Sequence, residues 1–204
     1  MILKIHSINP EPRLIGKAVE VLQHGGIIIY PTDTVYGIGC SIENKNAIEK
    51  IYLIKRQCED KPFSFVCSDL THISSYAHVS NAAFKIMKRL IPGPYTFILP
   101  AQRMKNLPKI LVSKRKTVGI RVPASPTALA LVHALGHPVL STSVTSPDGE
   151  ILNDPDEIGQ QFKNRVEMIL DSGPLVSEPS TVIDLTGNEA EVIRYGSGSI
   201  ELLR

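Results

Sequence analysis

Several short segments of this sequence carry residue types suited to small anionic or polar ligands, each beside a strand-like or helical pattern. PTDTVYGIG, residues 31–39, sets Thr32, Thr34 and Tyr36 beyond an apolar run. Ligands in open α/β sheets gather outside the carboxyl ends of strands, so these hydroxyls are placed to meet one. An ordinary turn that bonds its own Thr side chains would use the same residues. In IKRQCEDKP, residues 54–62, Lys55 follows Ile48 by seven positions, on the stripe of Ile48, Ile51 and Tyr52. It can stretch to a phosphate, or it can favour the C-terminal end of a helix dipole. PGPYT, residues 92–96, is a rigid turn into a strand that brings in Thr96. In GIRVPASP, Arg121 stands among apolar residues and needs a partner, either an anionic ligand or an internal acid such as Asp184. STSVTSPDG, residues 141–149, is a hydroxyl-rich loop that can cradle phosphate oxygens and includes Ser143 and Thr145. EPSTVIDL and the later IRYGSG supply Ser180, Thr181 and the fork-shaped donor Arg194, a set suited to carboxylate or phosphate.

Familiar catalytic signatures are missing: no GxGxxG, Walker A loop, GxSxG or HExxH. The histidines are scattered, no carboxylate pair stands out, and no spacing suggests a metal site. Hydroxyls, Lys and Arg with few acids point to electrostatic stabilisation of phosphates rather than hydrolysis by paired carboxylates.

The charge distribution agrees. The net charge is only +2, yet residues 70–147 hold no Asp or Glu and ten Lys or Arg. An acid-free stretch of that length predicts a positive field that attracts nucleotide or nucleic acid. Arg103, Lys105, Lys109, Lys114, Arg115 and Lys116 are its candidate RNA contacts. Few aromatics interleave them, which favours a duplex over stacked single strands.

The elements that must position these loops follow from pattern. LKIHSI, GIIIYP, FSFVC, YTFIL, TVGIRV, PVLST, VEMIL, STVIDL and AEVIRY read as strands. Helices are expected from Pro12 to the Gly25-Gly26 pair, over 46–56, from Ser80 to Pro92, from Ser125 to Gly136, and after Asp154. Strands alternate with helices and then cluster late, so the fold class is α/β: a twisted mixed sheet with helices packed around it. With 204 residues, one domain over 1–204 is expected. No apolar run suits a membrane span, and the opening MILKIHSINPEPRL does not read as a signal peptide. Cys40, Cys58 and Cys67 are odd in number and lack a CxxC spacing, which suits a reducing, cytoplasmic setting.

In order along the chain, PTDTVYGIG, KRQCEDKPFSF, PGPYTFIL, GIRVP, STSVTS, PSTVID and IRYG resemble the YrdC/YciO family, which includes threonylcarbamoyl-AMP synthase. KPFSFVCSDL and PSTVIDLT resemble the YciO-like branch most. The resemblance implies a large basic concave face and condensation of L-threonine, bicarbonate and ATP, with magnesium, into threonylcarbamoyl-adenylate and pyrophosphate, for tRNA modification. No permanently bound cofactor or metal is implied. Thr32, Thr34 and Tyr36 would surround the amino-acid pocket, with Arg121 and Ser180 holding the threonine. Lys55 would meet the ATP phosphates, and Thr96, Ser143, Thr145 and Arg194 would hold the nucleotide. Lys55 and Ser143 would be the catalytic pair. Synthases of the family carry Lys-x-Arg and Ser-x-Asn pairs; here Gln57 and Thr145 stand in the second positions, and Cys58 replaces a usual proline. Gln cannot supply a fixed charge, and a lost charge-assisted contact costs about 1.5–3 kcal/mol. A second reading therefore stands beside the first: a protein of the same fold that binds tRNA or double-stranded RNA without making the adenylate.

Overall fold

The helices start where their caps allow in the computed structural model, which describes residues 1–55, 63–102, 116–176 and 178–203. Helix α1 (Pro12–Gln23) opens on a proline, whose missing N–H costs nothing there, and buries Leu14, Ile15, Ala18, Val19 and Leu22. Helix α2 (Lys45–Lys55) is preceded by Asn44, whose side chain accepts from the Ala47 N–H at 2.9 Å. A short helix α3 (Leu70–Ser74), capped by Asp69, was not evident from pattern. Ser80 caps α4 (Asn81–Leu90), and Ser125 caps α5 (Pro126–Leu135), which ends at Gly136 with φ +81°. Asp154 caps α6 (Pro155–Gln161). No helix among the described residues is long and apolar enough to cross a membrane.

The strands are β1 (Ile2–Lys4), β2 (Ile28–Tyr30), β3 (Gly37–Ser41), β4 (Ser64–Val66), β5 (Tyr95–Pro100), β6 (Thr117–Arg121), β7 (Val139–Ser143), β8 (Met168–Asp171), β9 (Thr181–Asp184) and β10 (Glu191–Arg194). They form one ten-stranded sheet in the order β1-β8-β2-β3-β7-β4-β6-β5-β9-β10. Parallel pairs (β1 with β8, β4 with β6) mix with antiparallel ones (β2 with β3, β5 with β6), as the late clustering of strands predicts. The segment 37–39, expected in a loop, is instead the start of β3. Glycine is poor in strands as a rule. Here close approach demands it: a Cβ on Gly39 would lie 2.6 Å from the Leu140 carbonyl oxygen.

Each strand of the sheet's middle has two unlike faces. On one, Ile29, Ile38, Cys40, Phe65, Phe97, Leu99, Val118, Ile120 and Leu140 are buried with the inner sides of α2, α3, α4 and α6. On the other, α1 and α5 pack on Ile28, Tyr30, Val66, Val139 and Met168. Among the described residues that second cluster takes nothing from β3, β5, β6, β9 or β10. The residues that alternate with the core there are small or polar apart from Ile98 and Val182, and they form an open face.

Candidate active site

The floor of the open face is set by register. Gly39 lies opposite Ser141, Ser141 opposite Ser64, and Ser64 opposite Gly119, a row of small residues across β3, β7, β4 and β6. A Cβ on Gly119 would come within 2.9 Å of Ser64 Oγ, so the strands meet here with no room for a larger side chain. Tyr30 lies over Gly37 and Gly39 and donates its hydroxyl to Ser141 Oγ at 2.8 Å. Burial pushes the Tyr30 phenol up to about 12, so it remains a neutral donor.

Lys55 marks one end of the site. Its Nζ donates to the Ser143 carbonyl at 3.0 Å and to Thr145 Oγ1. The C-terminus of α2 is thereby tied to the loop after β7. Burial lowers the Lys55 ammonium from 10.5 to about 8, because a half-enclosed charge is poorly solvated. A cavity of about 360 Å³ opens beside it, lined also by Thr145, Ser146, Asp148, Gln161 and Arg165.

Two guanidinium groups mark the other end. Arg121 Nη2 donates to Thr34 Oγ1 at 2.8 Å and pairs with Asp33 Oδ1. Both side chains of that ion pair are about nine-tenths enclosed, with 11% and 10% exposure. The Nε–H of Arg121 is buried without an acceptor. Thr96 precedes Phe97, which is paired with Ile120, so Thr96 stands beside Arg121 on the open face. Its Oγ1 is 2.8 Å from Ser180 Oγ. Arg194 Nη2 donates to the Ser180 carbonyl at 2.8 Å and to its hydroxyl at 3.3 Å. The Arg194 guanidinium is held below its usual range, first by burial and then by the positive charge of Arg121. Two cations that repel across a polar hollow are a ready site for an anion.

The sequence-derived candidates thus fall into clusters. Lys55, Ser143 and Thr145 meet at one end. Thr34 and Arg121 meet at the other, beside Thr96, Ser180 and Arg194. Thr32 supports Thr34: its Oγ1 accepts from the Thr34 N–H and donates to the Val35 carbonyl. Tyr36 points away from the open face. Its ring is in the apolar core, and its hydroxyl donates to the Gly173 carbonyl at 2.8 Å and accepts from the Ser172 N–H at 3.0 Å. Arg121 takes Asp33 as its internal partner, not Asp184, whose carboxylate accepts from Thr186. Lys116 is exposed with φ +58°, while Arg103, Lys105, Lys109, Lys114 and Arg115 lie outside the described residues, as do Arg56, Gln57 and Cys58. Three other basic residues of the acid-free stretch, Lys85, Lys88 and Arg89, are exposed on α4, whose inner side packs on the opposite face.

Reasoning from sequence missed Asp33, Tyr30, Ser64, Gly119 and Ser141. For the last three, the alternation of Ser or Gly with large apolar residues in FSFVC, TVGIRV and PVLST was the available signal.

A family model described as telomere recombination, that of Sua5, YciO and YrdC, matches residues 20–196. The chain is 46% identical over 199 residues to the YciO protein of Escherichia coli (strain K12), covering 97% of this chain and 96% of that one. It is 34% identical to a Methanocaldococcus jannaschii protein named "Putative threonylcarbamoyl-AMP synthase", over 99% and 96% of the two chains. The crystal structure of E. coli YciO superposes with a TM-score of 0.94 at 44% identity, over 100% of this chain and 99% of that one. The structure of P. abyssi Sua5 complexed with L-threonine superposes with a TM-score of 0.88 at 27% identity. It covers 96% of this chain and 57% of the longer Sua5 chain. The chain belongs to the Sua5/YciO/YrdC family.

Proposed function

We propose that this protein condenses L-threonine, bicarbonate and ATP, with magnesium on the nucleotide, into threonylcarbamoyl-adenylate, pyrophosphate and water. The observation that carries the reading is two cationic clusters on one sheet whose middle strands carry a floor of Gly and Ser. Lys55 is tied to the loop after β7, and Arg121 and Arg194 converge beside Thr34 and Ser180. Adenylation by this route joins two anions, a carbamate carboxylate and a triphosphate. Its barrier is lowered by holding them together and neutralising their charge, with no nucleophile needed from the protein. Lys55 serves the phosphates with Ser143 and Thr145 beside it. Arg121 and Ser180 serve the amino-acid carboxylate, and Thr96 and Arg194, both bonded to Ser180, serve the adjoining nucleotide. The L-threonine complex of P. abyssi Sua5 supports an amino acid as one of them.

The test is direct. Purified protein is incubated with ATP, magnesium, bicarbonate and L-threonine, and pyrophosphate and adenylate are measured, with Lys55→Ala as control. Threonine-dependent product should form and fall by about a hundredfold in the control, in line with loss of a charge that stabilises a transition state. ATP binding without product from the native protein would overturn the synthase reading. Duplex RNA, with affinity falling steeply with salt, would then be the next ligand to try.

A further inference from the structure

The geometry points to Asp33 as a positioning residue of this site, acting on the amino-acid substrate through Arg121. The proposal rests on the amino-acid reading above. Asp33 lies in the connection between β2 and β3, and Arg121 ends β6, three strands further across the sheet from β3. One carboxylate bridges them. Oδ1 takes the Arg121 Nη2–H, and Oδ2 accepts from the backbone N–H of Ala124 at 3.0 Å. A second tie runs parallel: Ser125 Oγ donates to the Pro31 carbonyl at 3.1 Å. The loops at 31–34 and 122–125 are therefore closed on each other, and Asp33 is the charged half of the closure.

A carboxylate facing Arg alone would choose the two-pronged pairing with Nε and Nη2. Asp33 gives up one prong to Ala124, and the Arg121 Nε–H is left enclosed without an acceptor. An orphaned charged-group donor at such burial is costly unless something completes it. A carboxylate ligand arriving in the hollow supplies the missing acceptor after a small rotation of the guanidinium. Asp33 thus fixes where Arg121 stands while leaving it unsaturated. It also offsets part of the positive charge, so a bare anion gains less from this end than a zwitterion does.

The experiment is calorimetric titration of L-threonine, and separately of ATP with magnesium, into the native protein, Asp33→Ala and Asp33→Asn. Melting temperatures are measured on all three. In Asp33→Ala, L-threonine should bind about tenfold more weakly, the scale of one charge-assisted contact, with ATP within about twofold. Asp33→Asn keeps an acceptor for Ala124 and should fall between. Threonine affinity within about twofold of native in Asp33→Ala would overturn the proposal, as would an equal loss for both ligands, which marks general collapse. If the native protein binds no L-threonine, the amino-acid reading falls and Asp33 is judged on Arg121 itself. Phenylglyoxal labelling of Arg121, read by mass spectrometry, should speed up about fivefold or more in Asp33→Ala once the ion pair is gone. An unchanged rate would overturn the positioning role.

Discussion

Phe65, Phe97, Ile120 and Leu140 leave β4, β5, β6 and β7 on one side of the sheet. Their sequence neighbours Ser64, Thr96, Arg121 and Ser141 leave on the other. The side-chain period of a strand is two, so a single set of backbones carries a close-packed core and a polar hollow back to back. The two faces answer to different physics. The core face is held by apolar burial, which depends on no side chain's charge. The open face is held by charge-assisted hydrogen bonds among groups a ligand can rearrange. One face therefore governs whether the protein folds, and the other what the folded protein binds.

The strongest challenge to that division is Phe97→Ala. Phe97 is fully buried and stacks near Tyr95 at a ring-centroid distance of 6.3 Å. Truncation should cost about 3–5 kcal/mol, or roughly 6–20 °C in melting temperature for a chain of this size. Ligand affinity, measured well below the new transition, should stay within about twofold. If affinity falls with stability, the faces are coupled and the separation is wrong.

Lys55 sharpens the comparison from the other side. Burial lowers its ammonium from 10.5 to about 8, so its charge is lost as pH rises through about 8. Nucleotide affinity should fall between about pH 7 and 9, while Lys55→Arg, which stays charged, should show a flatter profile. The stability effect has the opposite sign. A lysine with a lowered folded pKa costs stability below about 8, and the cost fades as pH rises towards 10.5. A binding profile that does not differ between Lys and Arg would remove Lys55 from the proposed phosphate contacts.

Much of the frame was legible because its signals are local. Pro12, Ser80, Ser125, Asp154 and Gly136 punctuate the helices where the structure has them. The stripe of Ile48, Ile51 and Tyr52 is buried, and Lys55 at its end bonds to Ser143 and Thr145. What pattern could not supply was pairing at a distance. Lys55 meets Ser143 and Thr145 across 88 and 90 residues, and Arg121 meets Asp33 across 88. Strand order decides such contacts, and no local rule orders ten strands. The segment 37–41 hid because Gly37 and Gly39 weaken the strand pattern, although a packed sheet needs them. Reading it as strand would have separated Tyr36 from its neighbours, since Gly37 and Gly39 face the open side and Tyr36 the core.

The finest contrast uses one exchange in both directions. Thr96 on the open face and Val118 on the core face are both buried and differ mainly by a hydroxyl. Thr96→Val removes the contact with Ser180 Oγ, which still accepts from Arg194. It should cost only about 0.5–1.5 kcal/mol, the net worth of one hydrogen bond, because Ser180 Oγ keeps Arg194 as a partner. Val118→Thr places a hydroxyl among Leu99, Ile120 and their neighbours, where it must desolvate, and should cost about 1–3 kcal/mol. Chemical denaturation with equal m-values would measure both. The order matters more than the sizes. A larger penalty for Thr96→Val would mean that the Thr96–Ser180–Arg194 network is a structural element in its own right, and that the open face also takes part in holding the fold together.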